Sequence, residues 1–334
     1  MTIAPISERL PQLAKNLFAI VFTLAVYLIF VNRASALTDF PIGYSSRGGP
    51  SAFVSLMEQE RLLEEQGIKP TLVYIGGPQI SQALMAGDIQ MAILGPVTPL
   101  RAAARGAEVR FVGGVTEHEG ASLVADSKIT SIAGLKGTRL AIDRLGDTSD
   151  FRARKVLEAI GIQPQKDVFL LQIGGQGARF AALKSGQVQS MIVDPPLTLV
   201  ARKAGFRELV KLSQLAFPSA TASIVVMKAT GDRRGQEVYG ALRAITKALR
   251  IYKTDKETAV RALSVFMRLQ DREALEETWR VVGEVYKDIP TPSLAGIIVV
   301  RDFLGQTEPD VAKLDLEKLI DSRFTDRLKK EQGK

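Results

Sequence analysis

The sequence predicts an α/β fold of two similar lobes, built on mixed, mostly parallel sheets. Two observations carry this. Short apolar strands alternate with helices through Gly, Pro and Ser turns, and one strand–helix unit recurs at an offset of 99 residues. The length of 334 residues suits about two domains, and 46% hydrophobic with 24% charged residues marks an ordinary globular chain.

The first strand is expected at Asp39–Tyr44, ending in Ser45-Ser46-Arg47-Gly48-Gly49-Pro50. A helix with Pro50 near its first turn follows, carrying Phe53, Leu56, Met57 and Leu63 on one side, with Gly67 as its C-cap. Thr71–Ile75 is a strand, Gln79–Ala86 a helix stopped by Gly87, and Met91–Leu94 a strand. Gly95-Pro96 opens a helix ending near Gly106, and Val109–Val115 is extended. After Ser122–Ala125 the alternation restarts: strand Arg139–Asp143, helix Asp150–Ile160, strand Val168–Ile173, helix Ala178–Lys184, strand Ser190–Val193 and a Pro195-opened helix to Gly205. Glu208–Leu212 and Ser223–Met227 are extended, and from Asp232 the chain is helical, with apolar residues at three- and four-residue spacing. Trp279 falls on that apolar spacing with Leu275 and Val282, which marks it as core.

The repeat aligns Ala83-Leu84-Met85-Ala86-Gly87-Asp88-Ile89-Gln90 with Ala182-Leu183-Lys184-Ser185-Gly186-Gln187-Val188-Gln189, and continues without a gap through Pro96/Pro195 to Gly106/Gly205. Two copies are too few for a solenoid and indicate two lobes with a cleft between them. Ligands of open α/β sheets bind beyond the carboxyl ends of the strands. Here those ends carry Ser45 to Gly49, Gly95 to Thr98, Arg144 to Ser149 and Asp194 to Pro196. Each loop leads into a helix N-terminus, whose unpaired N–H groups favour an anion. Ser45, Ser46, Thr98, Thr148 and Ser149 add hydroxyls, and Arg47, Arg144 and Arg152 are candidate cations. Ser149 alone reads as an N-cap. Asp194 and Asp147 each allow two readings, a helix cap or a contact to a ligand amine.

Gly174-Gly175-Gln176-Gly177 lacks the Lys-Ser/Thr of a nucleotide loop and reads as a backbone turn at the rim. The chain has no cysteine, which excludes zinc ribbons, iron–sulfur sites and thiol nucleophiles, and its one histidine, His118, has no partner histidine for a metal. No acid, base or nucleophile set stands out, so neither catalysis nor a cofactor is expected. The net charge of +8 is modest and scattered, and no nucleic-acid partner is expected.

Residues 1–36 read as a secretory signal: Arg9 and Lys15, an uncharged run from Leu17 to Val31, then Ala34-Ser35-Ala36. The run is short for a membrane span, and an uncleaved anchor is the alternative.

The segments ITSIAGLKG (129–137), AALKSGQVQSMIVDPP and ARKAGFRELVKL, with the recurring order AL-x-x-G-x-(I/V)-x, strand, Pro, resemble the solute-binding proteins of ABC importers for nitrate, taurine and alkanesulfonates. That group also holds binders of pyrimidine precursors. The resemblance implies a periplasmic, monomeric protein of the second periplasmic-binding class. It implies two hinge crossings, near Leu123–Asp126 and Ser223–Met227. Lobe I would comprise residues 37–123 and 226–334, and lobe II residues 124–225. It implies a small-molecule solute, delivery to an ABC permease and its ATPase, and a pocket lined by Ser45, Ser46, Gly95, Pro96, Val97, Thr98, Asp147, Thr148, Ser149, Asp194 and Pro195, which Arg47 joins as a candidate cation of the first loop. Many relatives stack an aromatic residue on the ligand; here Val97, Leu197 and Phe217 are the nearest bulky residues. The branch that makes a pyrimidine precursor uses histidine and cysteine-rich segments, which this chain lacks.

Overall fold

In the computed structural model, which describes residues 37–333 apart from 117, 216, 217 and 219, two five-stranded sheets carry the fold. The 1–36 segment and Phe217 lie outside the described residues. The first sheet runs in the order 72–74, 42–44, 91–94, 223–227, 109–114, and the second in the order 169–172, 139–142, 190–193, 122–125, 207–211. In each, the first three strands are parallel, and the fourth lies antiparallel to both of its neighbours. The sheets are therefore copies of one topology, as the repeat required.

The antiparallel strand is the one each lobe does not build from its own repeat. Ser122–Ala125 precedes the second unit and Ser223–Met227 follows it. Both were expected at the crossings between lobes, and the boundaries 123/124 and 225/226 fall inside them. Both are buried sheet strands, and the chain changes sheet just before each, within residues 115–121 and 212–222.

Local signals explain the elements. The repeat-matched Gly87 and Gly186 hold φ of 85° and 76°, the left-handed conformation that glycine tolerates and that ends each helix before the next strand. Strands Met91–Leu94 and Ser190–Val193 are buried throughout, because helices cover both faces of each sheet. Against one face of the first sheet pack helices Phe53–Gln59, Gly235–Thr254, Lys256–Met267 and Arg272–Val285; against the other pack Gln79–Ala86, Val97–Ala104 and Leu294–Gly305. Thr148–Ala159 covers one face of the second sheet, and Gln176–Lys184 with Leu197–Lys203 the other. Trp279 packs on the first core and donates its indole N–H to the Tyr252 carbonyl at 2.7 Å.

Candidate functional site

A cavity of about 330 Å³ lies at the carboxyl ends of the parallel strands, walled by both sheets. From the first sheet come Ser45 and Ser46 after strand 42–44, Gly77 and Pro78 after 72–74, and Gly95, Val97 and Thr98 after 91–94. The second contributes Asp143, Arg144, Leu145, Asp147 and Thr148 after strand 139–142, Arg152 one helical turn further, and Asp194 after 190–193.

The loop 143–149 is knitted by its own side chains. Asp147 caps helix Thr148–Ala159, accepting from the N–H groups of Ser149 and Asp150 at 2.8 and 3.0 Å. Ser149 Oγ donates to Asp147 Oδ1 at 2.8 Å and accepts from the Asp143 N–H at 2.7 Å. Gly146 N–H reaches Asp150 Oδ2 at 2.7 Å. With its backbone so held, the loop leaves Arg144 and Leu145 exposed at the cavity.

Arg152 lies between two carboxylates, Glu119 at 2.6 Å and Asp194 at 3.2 Å, with its side chain 11% exposed. Burial works against its charge, but Asp194 and Glu119 outweigh that and hold the guanidinium above its ordinary pKa. Asp194 is locked a second time by Gln176, whose amide donates to Oδ2 at 2.9 Å and accepts from the Asp194 N–H at 3.0 Å. Nearby Arg179 is only 7% exposed, and its Nη1 donates to the Ile192 carbonyl at 3.4 Å. Burial lowers its pKa, partly offset by Asp194, Asp143 and Asp147.

Eight of the twelve expected pocket residues line this cavity: Ser45, Ser46, Gly95, Val97, Thr98, Asp147, Thr148 and Asp194. The other four are placed elsewhere. Arg47 lies over the Tyr74 ring, 4.7 Å from its centroid. Pro96 directly precedes helix Val97–Ala104 without facing the cavity. Ser149 spends its hydroxyl inside the loop, and the capping role read for it falls to Asp147. Pro195, cis to Pro196, borders a smaller cavity beside Thr198 and Glu277. Asp194 caps no helix, since Arg152 and Gln176 occupy its side chain.

Sequence reasoning missed Gly77 and Pro78, although the end of strand 72–74 is the same kind of strand–helix loop as the others. It also missed Asp143, Arg101 and the Glu119–Arg152 brace; nothing local signals that last pairing.

The two halves also meet on either flank of the cavity. On one side Phe151 of the second half lies in an apolar cluster of the first, beside Phe303. Here too a Cβ added to Gly95 would stand 3.2 Å from Thr148 Oγ1. On the other, Arg202 pairs with Glu277, and Lys203 with Asp271 at 3.1 Å and Glu273 at 2.8 Å. His118 is exposed, and among the described residues no group of three or more His, Asp or Glu is arranged to hold a metal.

The fold is that of the periplasmic binding proteins, and the chain belongs to the NMT1/THI5-like family, which it matches over residues 59–259, more than half its length. A putative aliphatic sulfonates-binding protein of Escherichia coli (strain K12) is 24% identical over 254 residues, covering 74% of this chain and 77% of that one. Among solved structures, the alkanesulfonate-binding protein SsuA from Xanthomonas axonopodis pv. citri, bound to MOPS, superposes with a TM-score of 0.69 at 21% identity, covering 86% of this chain and 100% of that one. The periplasmic nitrate-binding protein NrtA from Synechocystis PCC 6803 superposes at 0.67 with 12% identity, covering 88% and 89%.

Proposed function

We propose that this protein is an exported solute-binding component of an ABC importer. It captures a small polar or anionic solute, of the sulfonate, taurine, nitrate or pyrimidine kind, and delivers it unchanged to a membrane permease and its ATPase. The observation that supports this reading most is the cavity walled by strand ends from both sheets, with the Arg144 guanidinium at its edge. A solute there touches both halves at once. It stabilises the closed arrangement only through contacts an open one lacks. Carrying the halves from mostly open to mostly closed takes a differential affinity of about 5.5 kcal/mol, which a few charge-assisted hydrogen bonds of about 1.5–3 kcal/mol each supply.

Export rests on residues 1–36, with cleavage after Ala36 releasing a monomer into the periplasm. Among the described residues no helix is long and apolar enough to cross a membrane. N-terminal sequencing of the exported protein is expected to start at Leu37; an intact leader indicates a tethered form.

The test of the function is a thermal-shift and calorimetry series over sulfonates, nitrate, carboxylates and aminopyrimidines, with mass spectrometry of the recovered ligand. Binding at 100 times the dissociation constant adds about 2.7 kcal/mol to stability. The expected result is a raised melting temperature with one class and its unaltered recovery. Indifference to every class, or turnover, overturns the reading.

A further inference from the structure

We propose that the solute carries a cationic group as well as an anionic one, and that the adjacent residues Asp143 and Arg144 recognise the two. This inference rests on the cavity being the solute site. Most charged groups around the cavity are already committed. Arg101 holds Glu308 through three hydrogen bonds of 2.6 to 3.0 Å. Asp147 caps a helix and bonds Ser149. Arg152 and Asp194 bind each other, with Glu119 and Gln176 completing their shells.

Two side chains remain. Asp143 and Arg144 follow strand 139–142 directly, both line the cavity, and among the described residues neither side chain makes a hydrogen bond or an ion pair. The Asp143 backbone is held by Ser149, so its carboxylate is presented from a fixed point.

Charge balance points the same way. The charged side chains that line the cavity are Asp143, Asp147 and Asp194 against Arg101, Arg144 and Arg152, and once the committed ones are set aside Asp143 and Arg144 are left as one charge of each sign. A purely anionic solute satisfies Arg144 alone. It also strips water from an Asp143 carboxylate that gains nothing in return, which is costly. A solute with an ammonium or protonated amine near its acid group answers both residues. Adjacent Cα atoms stand about 3.8 Å apart, and the cavity is small, so the two ligand charges belong within a few ångströms of each other. Asp194, the carboxylate the sequence offered for this role, is unsuited to it because Arg152 and Gln176 already surround it.

The experiment is isothermal calorimetry on the full exported protein with matched probes: 2-aminoethanesulfonate against ethanesulfonate, and 3-aminopropanoate against propanoate. The wild type is expected to bind an amine-bearing probe at least about tenfold more tightly than its deaminated partner. Asp143→Asn is expected to remove that preference while leaving the deaminated probe within about threefold of wild type, and Arg144→Gln to weaken both members of a pair. Circular dichroism and melting temperature confirm that each variant folds. Equal affinity within the pairs, or a preference that survives Asp143→Asn, overturns the inference and leaves the solute-binding function standing. Failure of all four probes where nitrate or an aminopyrimidine binds also overturns it, and failure of every solute overturns the function with it.

Discussion

Phe151 and Phe303 meet edge to face with ring centroids 5.4 Å apart, though their helices cover different sheets. Phe151 is only 4% exposed, and the apolar residues around it belong to the other half of the molecule. Separating the halves therefore exposes a phenylalanine. An aromatic pair is worth about 0.5–1.5 kcal/mol beyond the area it buries. Phe151→Ala is expected to weaken solute affinity by roughly threefold or more and to enlarge the radius of gyration in X-ray scattering. Unchanged scattering and affinity remove Phe151 from the closing contact.

Arg152 is the sole cation bonded to both Glu119 and Asp194 among the described residues. Removing one partner of a buried ion pair typically costs about 3–5 kcal/mol, because the remaining charge is stranded. Arg152→Leu is expected to lower unfolding free energy on that scale in urea titrations. Arg152→Lys is expected to recover only part, since an ammonium lacks the planar fork that reaches two carboxylates. A loss below about 1 kcal/mol contradicts the brace.

Asp147 lines the cavity, yet its carboxylate is engaged with the helix behind it. Asp147→Ala is expected to cost about 0.5–2 kcal/mol of stability, while Asp147→Asn retains the cap and stays near wild type. If Asp147→Asn abolishes solute binding with its melting temperature intact, Asp147 contacts the ligand directly.

The seam between Leu197–Lys203 and Arg272–Val285 depends on charge. The N–H of Ala274 and the Lys203 ammonium hold the Asp271 carboxyl below its ordinary value of 3.8. A carboxyl lowered on folding contributes fully above its unfolded pKa and loses that contribution as pH falls through the folded one. The seam is thus intact at neutral pH and weakens below about pH 4. Exposed pairs contribute little and are screened by salt. Lys203→Ala is expected to change affinity only a few-fold, with a smaller effect in high salt, as calorimetry at two ionic strengths checks. An equal effect at both ionic strengths assigns Lys203 a packing role instead.

Much of the scaffold was legible because its signals are local. Gly87 and Gly186 stop matching helices, apolar runs mark the buried strands, and the 99-residue offset ties the two units together. An apolar segment of four or five residues does not declare which sheet it joins. Ser223–Met227 reads as extended, but only its pairing with 91–94 and 109–114 assigns it to the first sheet. The strand-end loops placed eight of twelve candidates on the cavity, since a loop following a parallel strand has few other places to go.

Amino-acid order alone determined the paired α/β units, their duplication and the end of the sheets where a cavity forms, because each depends on neighbours within a turn or a strand. Tertiary structure decided which charges the cavity retains. Arg152 finds Asp194 across 42 positions of sequence and Glu119 on the crossing segment, and these encounters follow no periodicity. Arg152 and Gln176 bond the Asp194 side chain, while that of Asp143 makes no hydrogen bond or ion pair among the described residues. Burial and long-range ion pairing make that difference, and both arise only after the sheets have formed.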